Sequence, residues 1–352
     1  MVKILNIALY IIFILIPALY FIWLLKHEHL IFKTFVVVMA ILSTIGILLK
    51  FNFKPYNHIF TMFILVCQFL TMYIYILFIC VYLYRFSFKF VKRRPYRFGN
   101  IVATITISGF HSHYNKKEVI YHVTVPKTSS VSKLKICLVS DLHLSSGTYM
   151  RQVRKLVKTV NDKHYDLVCF AGDVFDENTP DALMNRSLQE FKNMKSTYGT
   201  YWISGNHEYY GKHTDFTVFE KYNIHFLKNT YETVDNTFNI VGFTDKTSHD
   251  HYEINKVIEG MDTSLPTITL DHNPERFDQH TYFTDLQLSG HTHNGQIFPG
   301  NIILHYYYQN SYGLSHYKNH YLLVSAGYGS WGFPFRLGTQ CEYDTIYLTM
   351  RK

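Results

Sequence analysis

Five times after residue 133 a short apolar stretch stops abruptly at a polar motif, and that repetition restricts the fold more than any other feature of the 352 residues. Leu134–Ser140 stops at Asp141, Leu167–Ala171 at Gly172-Asp173, and Thr200–Ser204 at Gly205-Asn206-His207. Thr267–Leu270 then stops at Asp271-His272, and Leu286–Ser289 at Gly290-His291. Two amphipathic stretches of helical period, Met150–Asn161 and Pro180–Met194, separate the first three. The pattern is βαβαβ with polar residues at the carboxyl ends of strands, where open α/β sheets gather their sites. Further downstream strands prevail, over Phe238–Phe243, Ile302–Tyr308, Tyr321–Ser325 and Thr345–Met350. The expected fold is α/β, two sheets packed face to face. Residues 100–107 and 118–125, rich in β-branched side chains, read as a hairpin around His111–Lys117.

The motifs place carboxylate, imidazole and amide groups at seven positions: Asp141, His143, Asp173, Asn206, His272, His291 and His293. This hard to borderline donor set suits Mn, Fe or Zn. A single Asp-x-His pair arises easily by strand alternation. Five motifs in order, each closing an apolar strand with Gly or Pro nearby, point to a metal site. No Gly-x-Ser-x-Gly elbow occurs, and Gly205-Asn206-His207 lacks the Lys of a phosphate-binding P-loop.

With Gly290-His-Thr-His-Asn-Gly-Gln-Ile297 and Gly327-Tyr-Gly-Ser-Trp-Gly-Phe-Pro-Phe-Arg336, the chain from about Lys133 onward resembles the calcineurin-like metallophosphoesterases, and within them a bacterial membrane-associated branch. The resemblance implies one metal on Asp141, His143, Asp173 and His293. It implies a second on Asp173, Asn206, His272 and His291, with Asp173 bridging. Two divalent ions about 3.5–4 Å apart clamp a phosphate and lower the pKa of a water they share, so that it attacks in line at phosphorus. The family also places at His207 an imidazole that binds phosphate and protonates the leaving oxygen. Asp176 stands where it could orient that imidazole, or else cap a helix. Arg336 could offer forked donors to phosphate, or form a salt bridge beneath its loop. Asn294, Tyr328 and Trp331 depart from the branch's pattern and bear on substrate fit.

The resemblance does not reach residues 1–90, where hydropathy alone speaks. Ile4 to Leu25 carries no charge, long enough to cross a hydrocarbon core of roughly 30 Å. A signal peptide would have a shorter apolar run ending in small residues, whereas this one ends Trp23-Leu24-Leu25-Lys26. Further runs cover about 30–49, if Lys33 snorkels, and 59–84. The formal charge of +8 is concentrated here, since residues 1–97 hold eleven Lys or Arg against the single acid Glu28. The remainder is slightly acidic, so no nucleic-acid surface is expected. Six bases between Arg85 and Arg97 mark the cytoplasmic side of the last run and offer attraction to anionic membrane lipids.

The expected organisation is a transmembrane region over 1–90, a basic juxtamembrane segment and hairpin connector over 91–132, and a catalytic domain over 133–352. The domain would face the cytoplasm from a multi-pass membrane anchor. Cys137 and Cys169, each four residues before a motif Asp, occupy equivalent strand positions and are expected as neighbouring, buried, reduced thiols, in line with that compartment. The expected activity is dinuclear metal-dependent hydrolysis of phosphoric esters. A pyrophosphatase on a lipid-linked nucleotide, and a non-catalytic membrane scaffold or sensor retaining the fold, are the alternatives. Oligomeric state leaves no mark in the sequence.

Overall fold

The computed structural model describes residues 96–145, 149–211 and 216–351. The three apolar runs lie outside the described residues. Among the described residues no helix is long and apolar enough to cross a membrane. The compact unit that carries the motifs runs from Ser108 to Lys352.

The first helix is α1 (Tyr96–Tyr114), followed by β1 (Lys117–Thr128), β2 (Lys133–Val139), α2 (Met150–Lys163), β3 (Leu167–Ala171), α3 (Asp181–Phe191), β4 (Thr200–Ile203) and the short α4 (Asn206–Tyr210). Then come β5 (Ile224–Phe226), β6 (Thr230–Val234), β7 (Phe238–Gly242), α5 (Ile254–Val257), β8 (Thr267–Leu270), α6 (Phe277–His280) and β9 (Leu286–Ser289). The chain closes with α7 (Gly300–Tyr307), β10 (Gly313–Tyr317), β11 (His320–Val324) and β12 (Glu342–Arg351).

Two six-stranded sheets result, in the orders β1-β12-β2-β3-β4-β5 and β10-β11-β9-β8-β7-β6. In the first, β2 to β5 run parallel. In the second, β7, β8, β9 and β11 do. Parallel strands covered on both faces are apolar throughout, and every residue of β3 is buried. Its alternate residues serve two cores. Leu167, Cys169 and Ala171 join Ile136, Leu138, Ile240, Ile268 and Leu286 between the sheets. Val168 and Phe170 face the other way, among Val153, Leu156 and Val160 of α2 and Leu188 and Phe191 of α3. The five parallel strands β2, β3, β4, β8 and β9 all end at the predicted motifs.

Three expectations are corrected. Residues 100–107 belong to α1 rather than to a hairpin strand. On that helix Phe110 meets Phe333 and Phe335 edge-on at 5.6 and 5.7 Å, and His113 is buried against Ser330. Such tertiary packing overrides a weak preference of β-branched residues for strands. The strand that does form, β1, pairs with β12 inside the first sheet, so the domain begins well before residue 133. Ile302–Tyr308 is likewise helical, the last six residues of α7 with Tyr308 after them, because Pro299 and Gly300 open a turn there: the amides of Ile302 and Ile303 both donate to the Pro299 carbonyl. The third correction concerns the thiols. Cys137 and Cys169 lie on adjacent strands and are buried and free, but Cys137 pairs with Val168, which turns the two cysteines to opposite faces of the sheet.

Candidate metal centre

The loops leaving the two sheets interlock. Asp141 donates its amide to the Gly172 carbonyl at 3.0 Å and His143 to that of Asp173 at 3.1 Å, so the first two motifs run side by side. The amide of Gly290 reaches the His272 carbonyl at 3.0 Å, and that of His291 lies 3.1 Å from both carboxylate oxygens of Asp141, which ties sheet to sheet. Such approach needs glycine. A Cβ on Gly290 would run into Ser140 Oγ and Asp141 Oδ2. Asp141, His143, Asp173, His291 and His293 all adopt left-handed backbone conformations, with φ between 49° and 70°. For residues other than glycine that costs roughly 1–2 kcal/mol each. Concentrating it at five polar residues is the mark of a site whose geometry is held by function rather than by stability.

The side chains form two adjoining groups. Asp141, His143 and His293 offer ligand atoms within 4.8 Å of one another, as do Asp173, His272 and His291. His143 Nε2 and His293 Nε2 are 3.0 Å apart, and His291 Nδ1 stands 3.3 Å from His272 Nε2 and 2.8 Å from Asn206 Oδ1. Asp173 Oδ2 lies 3.1 Å from His272 Nε2 and 4.0 Å from His143 Nε2, between the groups. Ring nitrogens converging this closely in a buried setting require a shared proton or a cation between them. The donor set, carboxylate and imidazole with one amide, is that of a divalent transition metal, so these residues fit the implied ions.

The second layer fixes these rings. His272 Nδ1 donates to the Ala171 carbonyl at 2.7 Å, which leaves Nε2 facing Asp173. Asp176 Oδ1 is 2.7 Å from His143 Nδ1. Arg336 is fully buried, with Nη1 donating to the His293 carbonyl at 2.9 Å, Nη2 to that of Gly329 at 2.6 Å, and Nη2 3.1 Å from His293 Nδ1.

Two expectations about this layer are therefore corrected. Asp176 is closer to His143 than to His207, whose Nδ1 is 3.4 Å from Asp176 Oδ1 but 2.9 Å from Glu177 Oε2. Nor does Asp176 cap a helix, since α3 starts after Pro180 without a side-chain cap. Among the described residues Arg336 forms no salt bridge. Its donors are spent on backbone carbonyls, Ser330 and the His293 ring.

Glu177 and Glu208 are the residues sequence reasoning missed. Glu208 is buried and accepts four backbone N–H groups, from Asp173 at 3.0 Å, Val174 at 2.7 Å, Phe175 at 3.0 Å and Gly205 at 2.8 Å. Burial and the Asp173 charge push its carboxyl up to about 7, against the pull of the Phe175 and Gly205 amides. Its place three residues after Gly205, the N3 position of a capping box, is the signal that could have found it. Glu208→Ala should leave four buried donors unpaired at about 1–3 kcal/mol each. The melting temperature should fall on the order of 10 °C or more, and Glu208→Gln, which keeps one acceptor, should lose less. Equal melting curves for Glu208→Ala and the parent would remove Glu208 as the organiser of these loops.

Burial depresses the pKa of His143, but Asp176, Asp173 and Asp141 outweigh it and raise it to about 9. Burial is likewise overcome by Asp173 at His272, whose pKa rises well above the usual value. Burial, with His143 and Arg336, lowers that of His293, and burial with His272 lowers that of His291. The proton on His143 stabilises the metal-free fold fully below pH 6.5 and ceases to as pH rises through about 9. A metal must displace that proton. Apparent affinity for Mn should therefore rise with pH up to about 9, by roughly tenfold per unit for each proton released, and then level off. Affinity independent of pH from 6 to 9, followed by calorimetry at a range of pH values (about one unit apart, to separate slopes), would contradict the charged state of His143.

Two sheets thus deliver five loops to one acidic and imidazole-rich centre in a two-layer α/β sandwich. Residues 134–295 match the family model for calcineurin-like phosphoesterases, and the domain that carries the site belongs to that family. An uncharacterized metallophosphoesterase of Helicobacter pylori is 34% identical over 224 residues, covering 61% of this chain and 60% of its own. A transmembrane protein with metallophosphoesterase domain from Bos taurus is 29% identical over 242 residues, covering 62% and 54%. YkuE of Bacillus subtilis, an uncharacterized metallophosphoesterase, is 27% identical over 234 residues, covering 61% and 78%. The chain thus spans about 60% of the length of the first of these relatives.

Proposed function

We propose that this chain is a membrane-anchored, dinuclear metal-dependent hydrolase of phosphoric esters. The observation that carries the reading is the pair of adjoining groups, Asp141/His143/His293 and Asp173/His272/His291, with the Asp173 carboxylate between them. One divalent ion would be held by Asp141, His143, Asp173 and His293, the other by Asp173, Asn206, His272 and His291. When bound, such a pair supplies positive charge for a phosphate and lowers the pKa of a water. The protein's own part is to set the geometry: Asp176 and Arg336 hold the His143 and His293 rings, the Ala171 carbonyl holds His272, and Glu208 holds the Asp173 loop. His207, with Nδ1 on Glu177, is left to present Nε2 toward the phosphate and to protonate the leaving oxygen.

The purified full chain, in detergent, should hydrolyse at least one class among phosphomonoesters, diesters, cyclic nucleotides and lipid pyrophosphates with Mn present, and lose turnover in EDTA. Metal bound at both groups without turnover on any of these would favour a scaffold retaining the fold.

Membrane anchoring rests on the apolar runs, and relatives from cattle and zebrafish are described as transmembrane proteins. The bases from Arg85 to Arg97 favour a cytoplasmic domain. A reporter fused after Lys352 should therefore be active only if it works in the cytosol. Activity from a reporter that needs export would reverse the topology.

A further inference from the structure

Between Asp285 and Lys318 the sequence has no Asp, Glu, Lys or Arg, and in the middle of that stretch lies α7, Gly-Asn-Ile-Ile-Leu-His-Tyr-Tyr. None of its residues is buried. Ile303 is 62% exposed, Tyr306 85% and Tyr307 72%. An eight-residue helix is marginal by itself in water, and helices in folded domains are ordinarily held by an apolar stripe against a core. Here the apolar residues face outward. The patch continues toward the metal centre. Trp331, 57% exposed, exchanges hydrogen bonds with Gln296 at 2.9 and 3.0 Å, and its ring centroid is 6.1 Å from that of His207. Tyr210, also exposed, has its ring centroid 5.3 Å from that of His207.

We infer that α7 and the Trp331 loop form a surface that lies in the headgroup and upper acyl region of a phospholipid bilayer, with the His207 side of the site opening onto it. The occupant is argued from composition and from the chain outside the described residues. Tyr, Trp and Ile are the side chains that partition to that depth, and the exposed Lys246, paired with Glu275 at 2.7 Å near Tyr307 and Tyr308, stands at the rim where headgroups would lie. The last apolar run ends at Tyr84, eleven residues separate it from Tyr96, and eleven residues reach no more than roughly 40 Å. A domain of about 245 residues is itself roughly 40 Å across. A tether of that length, continued by α1, keeps the domain within reach of the bilayer, and α7 offers it an exposed apolar face. This inference rests on the reading of residues 59–84 as a membrane span.

The test uses the full chain with Cys67 and Cys80 replaced by serine, carrying Ile303→Cys, Tyr306→Cys or, as a control on a charged exposed helix, Lys158→Cys. Each is labelled with an environment-sensitive fluorophore and reconstituted in vesicles of phosphatidylcholine and phosphatidylglycerol, some of whose lipids carry a nitroxide on the upper acyl chain. Lipid nitroxide should quench the probes at 303 and 306 several-fold more than the probe at 158, and iodide in the buffer should do the reverse. Probes at 303 and 306 quenched by iodide like that at 158 would show an open aqueous face and overturn the proposal. Shielding from both quenchers would also overturn it, since a second copy or the chain's own residues 1–95 would then cover α7. The readout involves no turnover, so a protein that fails every hydrolysis assay could still dock, and an active one could fail to.

Discussion

Asp173→Ala should abolish hydrolysis and reduce the metal content of the purified protein below two ions per chain. The Asp173 carboxylate lies between the two groups. Its Oδ2 is 3.1 Å from His272 and 4.0 Å from His143, and its Oδ1 accepts the His207 amide at 2.8 Å. Burial works to raise its pKa, but His272, His143 and His207 hold the carboxyl well below the usual range, which favours the anion. Removing that anion leaves two cations without a shared counter-charge in a buried site, where unpaired charge is costly. Asp173→Asn separates charge from shape: it keeps the acceptor for the His207 amide and should still lose both metal and activity. A variant with two ions bound and a normal rate would rule out the bridging position.

The motifs at the ends of β2, β3, β4, β8 and β9 were legible because each needs a polar residue where an apolar strand stops, a contrast plain in one sequence. Three strands that contribute no motif, β5, β6 and β10, left no such contrast and were not anticipated. The helix α1 was misread because its β-branched residues speak for strand locally, while Phe110 and His113 are held by a loop more than two hundred residues away. Arg336 shows the same limit at the site. Sequence put it after a glycine-rich stretch near the centre, but whether its donors face a substrate or the carbonyls of Gly329 and His293 depends on how that loop folds back. Asp176 and Glu177 are adjacent in sequence, and only the turn after β3 decides that the first serves His143 and the second His207.

That division of labour makes the leaving group the sharpest probe of His207. If its imidazole protonates the departing oxygen, His207→Ala should keep both ions and lose roughly 10²–10⁴-fold in rate on an ester with a poor leaving group. The loss should shrink on an activated aryl phosphate, whose oxygen departs without a proton. Glu177, 2.9 Å from His207 Nδ1, holds the ring through its far nitrogen, so Glu177→Gln should give a smaller loss with the same dependence on leaving group. Asp176→Asn should behave differently. Its carboxylate bonds His143 at 2.7 Å and also raises the pKa of that ring, so its loss should weaken metal retention and slow both substrates alike. Metal content measured on the same samples as the rates separates the two effects. Equal losses on both esters for His207→Ala would assign the imidazole to phosphate binding, and a lost ion would make it a ligand. A leaving-group dependence in Asp176→Asn instead of Glu177→Gln would return the orienting role to Asp176, against the shorter contact made by Glu177.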